Sequence, residues 1–464
     1  MKNLAVILLA AGLGKRMRSA LPKVLHPLAG KPLFSYPLNT ALGLNPAKVA
    51  VVVGHGDASV RQACPENGID WVVQEKQLGT GHAVNSAKTI LRGFPGTVLI
   101  LNGDVPLIGR ETLLGLLRRH DEEKAALTFV TARLNEPYGY GRIVRNGNGT
   151  LIRIVEERDA TATEKKLTEI NAGIYAAAAD FLFPALAEIT STNRQKEYYL
   201  TDIVAAALGA GKTVGTVEAE DVREIMGINT REELAAMEKI FRERINRKWM
   251  EAGVTLKDPQ TTYIEETVTI GKDTVIGPNT QLLGDTVIGE RCRIDGSAYL
   301  TNARLGNDIQ VRFSVVLTDS EIGDGAIVGP FAHLRPGTQL GARVHIGNFV
   351  EAKEATIGEG SKANHLSYLG DATIGRDTNI GAGTITCNYD GFKKYRTKIG
   401  DRVQVGSDST LVAPVALAND VYVATATTVR RDVPAGALVY NERVEKVKKG
   451  WTGQKRKRMA KVKA

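Results

Sequence analysis

The turn Gly12-Leu13-Gly14-Lys15-Arg16 closes the apolar run Leu4–Ala11. A glycine-rich turn at the carboxyl end of a parallel strand brings backbone N–H groups close to phosphates. Arg16 and Lys23 add positive charge where a triphosphate would sit. The turn is neither a dinucleotide fingerprint nor a P-loop, because no Ser or Thr follows its Gly-Lys pair. A carboxylate, Asp104, follows another apolar run, Thr97–Leu101, at the kind of strand end where magnesium can be held. In the second half of the chain Arg335 and Lys353 place two cations near each other, and the polar stretch Lys362–Asp371 carries His365.

Two kinds of element must position these residues. Residues 1–230 alternate apolar runs with helical stretches. Strands are expected at Leu4–Ala11, Val49–Val53, Asp70–Val73, Thr97–Leu101 and Ala126–Ala132, and helices near 33–43, 80–92, 110–122 and 198–210. Such alternation predicts an α/β unit, a mostly parallel, Rossmann-like sheet covered by helices. Residues 231–250 are rich in charge and helix formers, with Asn229-Thr230 ahead of them as a cap, and read as a connecting helix. From about residue 263 an aliphatic side chain returns every six residues: Ile264, Ile270, Ile276, Leu282, Ile288, Ile294, Leu300; then Ile322, Val328, Leu334, Leu340, Ile346; then Ile399, Val405, Leu411, Leu417, Val423, Val429. Six is the period of a parallel β-helix of hexapeptides, with three short strands per coil. The glycine that often follows the aliphatic residue is expected to permit the corner. Residues 353–373 and 386–398 read as breaks in the register. The expected division is 1–231, a connecting helix at 232–252, and 253–464.

The chain has 464 residues and 48 glycines, as many tight corners would require, and a formal charge of +9. That charge does not spread over a binding face. Residues 443–464 hold ten Lys and Arg and one acid, so the tail alone accounts for it, and it reads as a solvated end and not a nucleic-acid site. Cys64, Cys292 and Cys387 have no metal-type spacing and suggest neither a zinc site nor a disulfide framework, which fits a reducing cytoplasm. No run approaches the roughly 18 apolar residues of a membrane span. The run Leu4–Ala11 lacks a cleavage-like site and reads as a buried strand and not a signal peptide.

The glycine-rich turn together with Pro22-Lys23-Val24-Leu25 resembles the signature of sugar-1-phosphate nucleotidyltransferases. Gln74 and Gly79-Thr80-Gly81-His82 look like that family's base-recognition segment. Asn102-Gly103-Asp104, Gly139-Tyr140-Gly141-Arg142, Ile154-Val155-Glu156, Glu169-Ile170-Asn171 and Gly227-Ile228-Asn229 follow in the family's order. The resemblance implies that Leu9, Ala10, Ala11, Gly12, Lys23, Gln74, Gly79, Thr80, Asn102, Gly103, Asp104, Gly141, Glu156, Asn171 and Asn229 bind UTP or the UDP-sugar. It also implies that Asp104 and Asn229 hold Mg2+ and that Arg16 assists catalysis. The implied chemistry is attack of a sugar phosphate on the α-phosphorus of a nucleoside triphosphate. Both partners are anions, so positioning and charge neutralisation carry it.

With the carboxyl half included, the whole chain resembles the bacterial N-acetylglucosamine-1-phosphate uridyltransferase/glucosamine-1-phosphate acetyltransferase family. The resemblance implies that Arg335, Lys353, Tyr368 and Asn379 hold glucosamine 1-phosphate. It implies that Ala382, Asn388, Tyr389, Ser407, Thr425 and Arg443 line an acetyl-coenzyme A site, and that His365 is the general base. An ammonium has no lone pair with which to attack a thioester, and imidazole suits its deprotonation near neutral pH. A left-handed helix, a homotrimer with acetyl-transfer sites shared between chains, and UDP-N-acetylglucosamine as product are further implications. Val423-Ala424-Thr425 departs from the family's usual Ala-Ala-Gly. Two rival readings, an ADP-glucose or dTDP-glucose type transferase with an inert helix and a non-catalytic exchange subunit, do not account for His365 with Arg335 and Lys353.

Overall fold

The structure is a computed structural model that describes residues 3–12, 14–54, 57–64, 67–442 and 444–462. The chain divides into two compact units, 1–241 and 242–464.

In the first unit nine strands form one sheet: β1 (Leu4–Ala10), β2 (Lys48–Val53), β3 (Ile69–Val73), β4 (Thr97–Asn102), β5 (Leu127–Arg133), β6 (Gly141–Arg145), β7 (Leu151–Val155), β8 (Glu169–Ala178) and β9 (Val214–Glu218). The order is β9-β5-β8-β4-β1-β2-β3, with β6 paired to β8 and β7 to β6. The pairs β1–β2, β1–β4, β2–β3 and β5–β9 are parallel. β8 runs antiparallel to β4 and β5, and β6 and β7 form an antiparallel hairpin on it. β1 is apolar throughout because both its faces are covered. Leu4, Val6 and Leu8 pack with Phe34, Leu38, Leu113 and Leu116 on one face. Ala5 and Ile7 pack with Val84, Leu91, Leu182 and Ile203 on the other.

The five expected strands form within a residue or two of their expected bounds. Two helices are shorter than expected: Thr80–Ser86 and Asp202–Gly209. The expected first turn of the latter is used otherwise. Tyr198 donates its N–H to the Leu78 carbonyl (2.7 Å), and its own carbonyl accepts from Gly81 N–H (2.8 Å). Gly79 permits this approach: its φ is +107°, and a Cβ there would lie 2.6 Å from Tyr198 O.

In the second unit three parallel sheets of eleven, ten and nine short strands form the faces of a β-helix. Each interior side chain stacks on its counterpart one coil away. Ile264 pairs with Leu282, Leu282 with Leu300, Leu300 with Leu317, Leu317 with Leu334, Leu334 with Ala352, and Ala352 with Leu369. All seven are buried. Parallel strands with hexapeptide repeats fit a left-handed β-helix.

Two expectations need correction. Residues 353–373 do not interrupt the coil: Ala352, Ile357, Ala363, Leu369 and Ile374 continue the buried ladder. Some sides are one residue shorter than six, and alanine replaces larger aliphatics at two interior positions, so the spacing slips while the coil continues. The second break is real, since Asn388–Arg396 leaves the coil between the strands Ile385–Cys387 and Thr397–Ile399. The role of the glycines also differs. Left-handed corners are made mostly by polar residues such as Asp273, Asn279, Asp308 and Asp420. Gly277 lacks a side chain for a different reason: a Cβ there would lie 2.4 Å from the Asp295 carbonyl of the next coil.

The helix Arg231–Glu251 carries the boundary between the units. Its Thr230 caps it, accepting Glu233 N–H (3.1 Å), while Glu233 reaches back to Thr230 N–H (3.0 Å), a capping box. Near its other end the buried Asn246 donates to the Pro259 and Thr262 carbonyls (2.7 and 3.0 Å) and so anchors the first coil. The helix Trp451–Val462 closes the described chain, with its described side chains exposed.

Candidate active sites

In the first unit the candidate site lies at the carboxyl ends of β1 and β4. Parallel pairing sets Leu9 beside Asn102, and Gly103 N–H donates to Leu9 O (2.9 Å). A Cβ on Gly103 would lie 3.0 Å from that same carbonyl. Asp104 therefore follows directly from a tight strand end. Lys23 Nζ donates to Asp104 Oδ2 and to Asn229 Oδ1, the latter at 3.1 Å. Residues separated by 81 and 206 positions thus converge on one ammonium. Gly14 packs against Lys23, since a Cβ there would lie 2.7 Å from Lys23 Cβ; its φ of +54° also favours glycine. Ala10 and Ala11 are buried, whereas Gly12 is exposed and Arg16 stands exposed on the short turn Lys15–Met17.

Asp104 and Asn229 fit a magnesium ion. Both present oxygen, the hard donor Mg2+ prefers, and a cation already occupies the point where they meet. Two protein donors suffice for an ion that usually keeps several waters. Among the described residues no group of three His, Cys, Asp or Glu could hold a metal.

Further along the sheet, Gln74 is 3% exposed and donates to Gly79 O (3.2 Å), with its amide also 2.9 Å from His82 Nδ1. Thr80 Oγ1 accepts Leu200 N–H (3.0 Å). Asn102 Nδ2 donates to Gly173 O (3.2 Å). Asn171 pairs with Gly141 across β8 and β6, and a Cβ on Gly141 would be 3.7 Å from the Glu156 carboxyl. Burial pushes the Glu156 carboxyl up, partly opposed by the hydrogen bond from Thr201 Oγ1 (2.9 Å), and the nearby acids Asp202, Asp159 and Glu197 push the same way as burial. Tyr140 lies close to Asp104 and Gly227 and is raised mainly by burial.

In the second unit, strand pairing aligns a column along one corner. Ala363, Ile380, Val405 and Val423 stack coil on coil. Two residues beyond each stand His365, Ala382, Ser407 and Thr425, with Asn348 paired to His365 on the other side. Neighbouring strands lie about 4.8 Å apart, so these residues form one line. Gly406 keeps that line close, since a Cβ there would be 2.6 Å from Thr425 N. His365 is exposed and ends the strand Lys362–His365 just before the left-handed corner Leu366.

Arg335 and Lys353 meet at the next corner. Arg335 N–H donates to Ala352 O (2.8 Å), and its guanidinium reaches Glu351 (2.8 Å). A third cation joins them that sequence reasoning missed. Lys394, from the excursion Asn388–Arg396, stands beside Lys353 and, with Arg335, holds the Lys353 ammonium below the ordinary lysine range. Its only sequence signal is the pair Lys393-Lys394 inside the break. Asn388 donates to Asp371, and Asp390 folds the excursion by accepting Phe392 and Lys393 N–H (2.8 and 2.7 Å). Tyr389, at 60% exposed, projects from it. Tyr368 shares the sheet of Lys353, but Asn379 belongs to a different one. One chain therefore does not gather all the expected sugar residues on one face. Arg443 lies outside the described residues.

Three cations beside two carboxylates, Glu351 and Asp371, leave net positive charge for an anion. Lys394→Ala is expected to weaken binding of a phosphate monoester at this corner by about tenfold, as loss of a charge-assisted hydrogen bond would. Titration with the sugar phosphate that the resemblance implies reads it, and an unchanged affinity would refute the role.

Residues 6–198 match the family model of the MobA-like NTP transferase domain, and residues 267–302 and 319–351 match that of the bacterial transferase hexapeptide (six repeats). Bifunctional protein GlmU of Pelobacter propionicus is 51% identical over 97% of this chain and 98% of its own. The chain belongs to the GlmU family. GlmU of Geotalea uraniireducens is 49% identical, and that of Geobacter sulfurreducens 48%, each over 98% of this chain and 100% of its own. A GlmU-family chain with both transferase domains is a bifunctional transferase, and its two candidate sites lie in separate units. Among the described residues no helix is long and apolar enough to cross a membrane.

Proposed function

We propose that the second unit acetylates glucosamine 1-phosphate from acetyl-coenzyme A, and that the first unit then joins N-acetylglucosamine 1-phosphate to UTP, giving UDP-N-acetylglucosamine and pyrophosphate. The observation that carries this reading is the convergence of Lys23, Asp104 and Asn229 in one unit, alongside the His365 column and cation cluster of the other.

In uridylyl transfer a phosphate oxygen of the sugar phosphate attacks the α-phosphorus, and pyrophosphate leaves. Lys23 and Arg16 offset phosphate charge, and the glycine-rich turn presents backbone N–H groups. Asp104 and Asn229 hold Mg2+, which supplies positive charge to phosphate oxygens when bound. Gln74, Gly79 and Thr80 recognise the base. Asn102, Gly141, Glu156 and Asn171 hold the sugar.

In acetyl transfer Arg335, Lys353 and Lys394 grip the sugar phosphate, and Tyr368 and Asn379 contact the ring. His365 takes a proton from the ammonium, and the neutral amine nitrogen then bonds to the thioester carbonyl carbon. The carbon–sulfur bond breaks, the nitrogen gives up its surplus proton as the amide forms, and sulfur takes that proton, so coenzyme A leaves as the thiol. Ala382, Ser407 and Thr425 continue the His365 column and suit a long coenzyme laid along it; Asn388 and Tyr389, assigned to the coenzyme by the resemblance, stand instead at the cation-cluster corner, where Asn388 donates to Asp371. The cation cluster and His365 occupy different corners, which favours sites completed by neighbouring chains in a homotrimer. A cytoplasmic location fits these substrates and the three free cysteines.

The test is incubation with glucosamine 1-phosphate, acetyl-coenzyme A, UTP and magnesium, followed by product identification. UDP-N-acetylglucosamine, pyrophosphate and free coenzyme A thiol are expected. A uridylylated but unacetylated sugar, or neither product, would overturn the reading.

A further inference from the structure

Next to the residues proposed to hold the sugar lies a phenol to which the reaction assigns no part. Tyr175 is 1% exposed and sits on β8, four residues beyond Asn171. The register of β8 against β5 shifts between these two residues, and Gly173 within the shift has φ +74°. Across this irregularity the side chains meet. Asn171 Nδ2 donates to Tyr175 Oη at 2.6 Å, while Asn171 Oδ1 accepts Gly173 N–H at 3.1 Å.

The bond from Gly173 N–H determines which way the amide faces, since a phenol could accept or donate. A reversed amide would set its NH2 group against the Gly173 N–H, donor against donor. In the observed orientation one Nδ2 hydrogen and one Oδ1 lone pair remain for a ligand. The phenol is itself held in place: its ring packs on Phe129 at 5.9 Å, and its small neighbours Ala176 and Ala177 are fully buried. Burial, and then the charge of Glu156, push the Tyr175 hydroxyl up, so it stays protonated near neutral pH. Glu156 and Asn171 are two of the three polar side chains proposed for the sugar, and Tyr175 adjoins both.

We propose that Tyr175 is a positioning residue for sugar recognition, its hydroxyl anchoring the Asn171 amide that the Gly173 N–H orients, so that a donor and an acceptor stay free for the sugar. The inference rests on the reading of Asn171 as a sugar-binding residue.

The full chain with Tyr175→Phe, Asn171→Ala and both changes is compared with the unaltered protein in the uridylyl assay, varying N-acetylglucosamine 1-phosphate and UTP separately. Tyr175→Phe is expected to raise the sugar-phosphate KM by about 3- to 10-fold, the worth of one hydrogen bond. The UTP KM and the rate of acetyl transfer should not change. In the Asn171→Ala background the second change should add nothing, because the hydroxyl acts through the amide. An unchanged sugar-phosphate KM, an equal rise for both substrates, or an effect that adds in full to Asn171→Ala would each overturn the proposal. If Asn171→Ala itself leaves that KM unchanged, the assignment of Asn171 fails first, and the role of Tyr175 falls with it.

Discussion

His365→Ala is expected to lower acetyl transfer by at least about 10²-fold, the usual worth of a general base, while uridylyl transfer is unchanged. The separation follows from the architecture. His365 lies in the unit 242–464, and every residue of the uridylyl site lies in 1–241. The loss should not reflect unfolding. The imidazole is exposed, and its strand is held by interior residues, Ala363 and Ile346, which the substitution leaves alone. Surface changes of this kind shift stability by about 0.5 kcal/mol or less. Two assays on one preparation check it: thiol release from acetyl-coenzyme A, and pyrophosphate release from UTP with N-acetylglucosamine 1-phosphate. Loss of both activities, or of neither, would sink the two-site reading.

Asp104→Ala should do the reverse, lowering uridylyl transfer by about 10²- to 10³-fold, the scale for losing an electrostatic stabiliser at a reacting centre. The carboxylate is the only charged partner of Lys23 among the described residues, and it is the charged member of the oxygen pair suited to magnesium. Its removal takes away that ligand and leaves the ammonium with only the Asn229 amide. The acetyl-transfer rate should be unaffected. Persistent magnesium-dependent pyrophosphate release in this variant would show that the ion is held elsewhere.

Much of this architecture is legible in the order of residues along the chain. A strand buried on both faces must be apolar throughout, and Leu4–Ala10 is. A coil of three equal sides must return an aliphatic residue every six positions, and three long runs do. The resemblance to the nucleotidyltransferase family groups Lys23, Asp104 and Asn229, of which only Asp104 follows a strand end, and all three meet at one ammonium. Period reasoning fails where a side of the coil loses one residue. A corner absorbs that change without disturbing the stack, so 353–373 reads as a break and is regular coil. Reading Gly277 as a corner residue fails for a related reason: what forbids a side chain there is the backbone of the next coil, which the local sequence does not reveal.

By itself, then, the sequence determined the two architectures and supplied the candidate groups for both sites, since buried periodicity and motifs are local properties. Tertiary structure alone decided which exterior residues meet. The line His365, Ala382, Ser407, Thr425 has unequal spacings, because the excursion Asn388–Arg396 is inserted between two of its members. Lys394 reaches Lys353 only because that excursion folds back, and Tyr175 meets Asn171 only because β8 shifts register. Hydrogen bonding between stacked coils and across a bulge is set by chain crossings in space, and no period along the chain encodes it.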